Sequence, residues 1–156
     1  MQAGLSIGLR RLTWLVWVLM LLPQAASARE YRVQMLNFGE QGSMVFEPAF
    51  LQVQPGDTVH FVATNSGHSV KSYQVPEGAE NWASADGEDY SVTLQQQGVY
   101  VYYCPPHLMM AMVGVIQVGE ASNYARVEAE LPRLRSKLVM EGKRLDQLWQ
   151  QVEPPK

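Results

Sequence analysis

The chain has 156 residues, enough for one hydrophobic core and too few for two comfortable ones. Its net charge of −3 at pH 7 is unevenly spread: residues 29–120 hold three basic side chains against ten acidic ones, and residues 121–156 hold seven against five. An acidic front part excludes the basic footprint of a nucleic-acid binder and favours a basic protein partner.

At the N-terminus, Arg10 and Arg11 precede the apolar run Leu12–Leu22, and "PQAASA" follows with small residues at Ala26 and Ala28. This order of charge, apolar stretch and small residues predicts a secretory leader over residues 1–28. The run is shorter than the about 20 residues a spanning helix needs, so cleavage after Ala28 is expected, with no membrane attachment afterwards. Export makes the cysteine count informative. A lone thiol, Cys104, has no internal disulfide partner in an oxidising compartment, so either burial or a metal must protect it.

From Arg29 to Gly119 short apolar or alternating runs are separated by turn signals. "EYRVQMLNF" ends in "GEQGS", "AFLQV" in "QPGD", "TVHFVAT" in "NSGH" and "YSVTL" in "QQQG"; "VYVYYC" and "MVGVIQV" follow. Such spacing predicts an all-β domain over residues 29–120, an antiparallel sandwich or barrel. Within "TVHFVAT", Val59 and Phe61 share one face, which leaves His60 pointing outward.

After Gly119 the period changes. Val127, Leu131, Leu134, Leu138, Leu145, Leu148 and Val152 recur at threes, fours and a seven, an amphipathic helical pattern that Pro132 and Gly142 interrupt. Two short helices, or one broken helix, are expected over residues 121–156, packed on the sandwich.

The stretch "YYCPPHLMMAMVGV", residues 102–115, carries the chemistry. Cys104 closes a β-run, His107 follows three residues later and Met112 five after that; His68, in "NSGHSV", sits on an earlier loop that can project toward the later one. A thiolate, two imidazoles and a weak thioether form the donor set that suits copper cycling between Cu(I) and Cu(II). Structural zinc wants four strong ligands, and a thioether is a poor one. With every position filled by protein, no vacancy remains for substrate. No paired carboxylates or nucleophile-and-base array lie beside the motif, so an enzyme is not expected.

The stretches "MLNFGEQGSMVFEPAFLQVQPGDTVHFVATNSGHSV", "GVYVYYCPPH" and "MAMVGVIQVGE" resemble the pseudoazurins, blue-copper proteins of bacterial periplasms within the cupredoxin family. The resemblance runs from about Tyr31 to Glu120. It implies a Greek-key sandwich with a helical C-terminal extension, one type 1 copper ion on His68, Cys104, His107 and Met112, and one-electron transfer between redox proteins through the exposed edge of His107. Met110 is a rival axial ligand, because the related amicyanins space their methionine three residues after the histidine. A copper carrier or storage module, with Met44, Met109 and Met110 holding Cu(I), is the alternative reading.

Three departures from the pseudoazurin pattern bear on function. Ser69 stands where the family usually has Asn, so a shorter side chain braces the ligand loop. Pro105 stands for Thr and, with Pro106, donates no N–H toward the sulfur, so a relatively high reduction potential is expected. Lys71 is the one lysine of the sandwich, where pseudoazurins ring the copper histidine with several. A monomer is therefore expected to dock through an apolar patch of Met44, Pro106, Leu108 and Met109 around His107. Its partner would be a cytochrome c or a protein like copper nitrite reductase.

Overall fold

The computed structural model describes residues 27–156, so the expected leader falls almost wholly outside the described residues. Eight strands run in chain order: β1 (Glu30–Gly39), β2 (Gly42–Glu47), β3 (Phe50–Val53), β4 (Thr58–Val62), β5 (Lys71–Gln74), β6 (Tyr90–Thr93), β7 (Gly98–Tyr103) and β8 (Val113–Val118). A 3-10 helix, Pro105–Met110, lies between β7 and β8, and the helices α1 (Tyr124–Arg135) and α2 (Lys143–Trp149) follow. Two four-stranded sheets result, ordered β2-β1-β4-β6 and β3-β8-β7-β5.

The sandwich is not purely antiparallel, as the spacing of runs had suggested. β1 pairs with β4, and β3 with β8, in parallel. The chain leaves the first sheet after β2, places β3 in the second, and returns along β1 in β1's own direction; run spacing carries no information about that crossing. Two strands had no counterpart among the expected runs. β2 begins inside the "GEQGS" turn signal, and β5, "KSYQ", has four residues and no apolar alternation.

Alternation fixes the inward faces. Val33 and Met35 of β1 and Val59 and Phe61 of β4 are fully buried, and His60 between them turns outward to meet Ser91 Oγ at 2.7 Å. Rings from both sheets meet in the middle, Tyr102 lying 4.8 Å from Phe46 and 5.0 Å from Phe61, edge to face. Each such side chain contributes about 1.5–3 kcal/mol by leaving water.

The tail folds onto this body. α1 buries Val127, Leu131 and Leu134, while α2 buries Arg144, Leu145 and Leu148. Pro132 does not interrupt α1; it sits inside the final turn, giving up the one N–H that would donate to the Glu128 carbonyl, and the helix stops three residues later. The break falls instead across residues 136–142. Among the described residues no helix is long and apolar enough to cross a membrane.

Candidate metal centre

The site starts from strand register. β7 and β8 pair antiparallel up to Tyr103 and Val113, so residues 104–112 form the connection of a β-hairpin whose ends face each other. Cys104 N–H donates to the Met112 carbonyl at 2.9 Å, one step beyond the last strand pair. Between them Cys104 caps the 3-10 helix, with Pro105 and Pro106 at its first positions. There the fixed φ of proline suits the turn and its missing N–H is not needed. His107 N–H donates to Cys104 O at 3.1 Å and Met112 N–H to His107 O at 3.2 Å, folding the loop back on itself.

A second register brings in the earlier loop. β5 pairs with β7 with Lys71 opposite Tyr103, so the segment leading into β5 runs beside Cys104. That segment contains His68. It is braced by residues 84–87: Gly87 N–H donates to His68 O at 2.7 Å, Ser84 N–H to Val70 O at 2.9 Å, and Val70 N–H to Ser84 Oγ at 3.0 Å. Backbone from a neighbouring segment thus does the bracing that the shorter Ser69 side chain was expected to do less well.

Three donor atoms converge. His68 Nδ1 and His107 Nδ1 are 3.1 Å apart, and Cys104 Sγ lies 3.8 Å from the first and 3.5 Å from the second. A circle through the corners of a triangle with these sides has a radius of about 2.0 Å, close to the about 2.0–2.3 Å of metal bonds to imidazole nitrogen and thiolate sulfur. His68 and Cys104 are buried and His107 is half-buried. The donor set therefore fits a soft or borderline ion held in one plane. Of the methionines that follow, Met112 is fully buried, Met110 half-buried and Met109 62% exposed.

One further residue, missed by the sequence reading, sets the protonation of the site. His68 Nε2 lies 2.9 Å from Asn37 Oδ1, an acceptor, so Nε2 carries the ring proton and Nδ1 keeps its lone pair for a metal. Asn37 is itself held by its own N–H, which donates to Asn65 Oδ1 at 2.9 Å. Its one signal in the sequence was an amide late in the "EYRVQMLNF" strand.

Electrostatics agree with a metal-ligating role. Burial lowers the pKa of His68, reinforced by the His107 ring and opposed by Asp86, which keeps the imidazole neutral. Burial raises that of the Cys104 thiol, while the backbone N–H groups of Ser69 and His107 act the other way and Asp86 adds to the rise. A bound cation overrides such a rise and takes the thiolate outright.

The chain matches the model of the copper binding proteins, plastocyanin/azurin family, over residues 33–119. It is 44% identical over 105 residues to the pseudoazurin of Paracoccus pantotrophus, covering 66% of this chain and 72% of that one. It is 42% identical over 142 residues to a putative pseudoazurin of Rhizobium leguminosarum bv. viciae, covering 86% and 88%. The solved structure of pseudoazurin from Methylobacterium extorquens AM1 superposes with a TM-score of 0.68 at 37% identity, covering 80% of this chain and 99% of that chain.

Proposed function

Because the chain belongs to the plastocyanin/azurin family of copper-binding proteins, on its pseudoazurin side, we propose that it is a one-electron carrier of the bacterial periplasm. His68, Cys104, His107 and Met112 hold one type 1 copper ion. The observation that carries this is the triangle of His68 Nδ1, His107 Nδ1 and Cys104 Sγ, with sides of 3.1–3.8 Å. Donors fixed by two strand registers rearrange little between oxidation states, which favours electron transfer. With no coordination position left open, binding and turning over a substrate at the ion is disfavoured, and the protein is not an enzyme.

The electron leaves through His107, the half-buried member of the set. Beside it on the loop stand the exposed Pro105 and Pro106 and the half-buried Leu108; the half-buried Met44 is tied to the same loop through the Arg144 guanidinium, which its carbonyl shares with those of Met110 and Ala111. The tail enlarges this apolar face. Val139 and Met140, 71% and 53% exposed, both donate their backbone N–H to Met109 O at 2.9 Å, which sets them beside Met109. A monomer docks by this face on a redox partner of the cytochrome c or copper nitrite reductase type, with weak dependence on salt. Location in the periplasm is supported by the leader pattern of residues 1–28 and by the lone thiol.

The test is copper titration of the metal-free protein. The expected result is an intense visible band from thiolate-to-copper charge transfer and reversible one-electron voltammetry, both abolished in Cys104→Ser. Copper uptake without that band, or cycling that is not reversible, would overturn the assignment.

A further inference from the structure

Arg144 of α2 is 4% exposed, and among the described residues no carboxylate pairs with it. An unpaired buried charge is costly unless dipoles replace its water. Here they are backbone carbonyls from two other parts of the chain. Nη1 donates to Met44 O at 3.0 Å, Ala111 O at 2.9 Å and Met110 O at 3.3 Å; Nη2 donates to Gln41 O at 3.1 Å and Ser43 O at 3.2 Å. One guanidinium thus ties the β1–β2 hairpin to the residues immediately before Met112.

The backbone at these contacts is unusual. Among the described residues three non-glycine residues have positive φ: Met44 at 49°, Ala111 at 56° and Glu141 at 51°. The carbonyls of the first two are Arg144 acceptors, and that of the third accepts the Arg144 N–H at 2.9 Å. Left-handed backbone with a Cβ persists only where its surroundings over-determine it. The next carbonyl back, Met109 O, takes the N–H groups of Val139 and Met140. The tail therefore holds three successive carbonyls of the loop, those of residues 109, 110 and 111.

We propose that Arg144 is a positioning residue that clamps the turn at Ala111 and so selects Met112, rather than Met110, as the thioether facing the copper. Without the guanidinium, the Ala111 carbonyl keeps the Val113 N–H at 2.9 Å but loses its charged donor, and the left-handed turn is left to the loop's own backbone bonds, Ala111 N–H to Leu108 O and Met112 N–H to His107 O. The loop then samples arrangements in which either methionine approaches. Through its optical test alone, the proposal rests on the copper assignment above.

The experiment compares the full chain with Arg144→Met, Arg144→Lys and the exposed control Lys143→Met. In metal-free protein, amide hydrogen exchange at Ala111, Met112 and Val113 is expected to quicken about tenfold or more in Arg144→Met, the loss of at least one charge-assisted bond. Arg144→Lys is expected to fall between, because one ammonium cannot span both groups of carbonyls, and Lys143→Met to match the unmodified chain. After copper loading, the intensity ratio of the visible bands and the rhombicity of the Cu(II) resonance are expected to shift in the same order. A fall in melting temperature with unchanged loop exchange and unchanged spectra would reduce Arg144 to a structural residue and overturn the proposal. Should Arg144→Met not fold, Arg144→Lys decides by the same readouts. If no variant, nor the unmodified chain, develops a charge-transfer band, the copper assignment fails while exchange still decides the clamp.

Discussion

Cys104 and Met112 face each other across the mouth of the β7–β8 hairpin, joined by an N–H to carbonyl bond of 2.9 Å that extends the Tyr103–Val113 pairing by one step. Opposite residues of an antiparallel pair lie side by side, so the spacing C-x2-H-x4-M is what a hairpin needs to return its last residue to its first. Met110 has no such partner.

This relationship predicts how the methionines differ. Met112→Leu conserves volume, costs under about 1.5 kcal/mol, and changes the visible and magnetic spectra of the copper protein; Met112→Ala costs about 2–5 kcal/mol. Met110→Leu leaves the spectra as they are. Spectra that change with Met110 and not with Met112 would reverse the assignment.

Asn37 holds the His68 ring by its Nε2–H at 2.9 Å. Asn37→Ala is expected to weaken copper binding about 10- to 100-fold, and Asn37→Asp, which keeps an acceptor, to preserve it. Competition with a Cu(I) chelator measures both. Equal affinities for all three proteins would show that Asn37 does not orient the ligand.

Asp57 supplies the acid limb of stability. Burial pushes its carboxyl up, but the N–H groups of Arg29 and Gln54, both at 2.8 Å, the Arg29 charge and the Tyr31 hydroxyl leave it below the usual value. A group more acidic folded than unfolded contributes stability above its unfolded pKa of about 3.9, and that stability is lost as the pH falls through the lower folded value. Asp57→Asn is therefore expected to cost about 1–2 kcal/mol at neutral pH and progressively less below about pH 4. Denaturant midpoints measured across that range should converge; parallel curves would remove the carboxylate from the account.

Gly114 sits opposite Tyr102 in the β7–β8 ladder, and a Cβ there would fall inside the Tyr102 ring. Gly114→Ala is expected to cost about 1–3 kcal/mol or more by overpacking, read from urea unfolding. A neutral result would mean that the ring can move aside.

Within the sequence, the ligand loop was the most legible part, because Cys104, His107 and Met112 lie on one short connection whose donor chemistry can be judged from residue type alone. Short apolar or alternating runs between turn signals likewise marked six of the eight strands, and the period in the tail marked both helices. β5 was invisible, since four residues with little apolar character carry no pattern, yet its pairing with β7 is what brings His68 to Cys104.

By itself, then, the sequence determined the donor types, the sandwich and the amphipathic tail, because residue chemistry and period are local properties. Tertiary structure alone decided the parallel pairings of β1 with β4 and β3 with β8, the Asn37 bond that leaves His68 Nδ1 able to ligate, and the burial of Arg144 against carbonyls over a hundred positions away in the chain at its farthest, Gln41. Those features depend on which distant segments the core brings together, and backbone carbonyls, being common to every residue, leave no mark in a sequence to announce which side chain will find them.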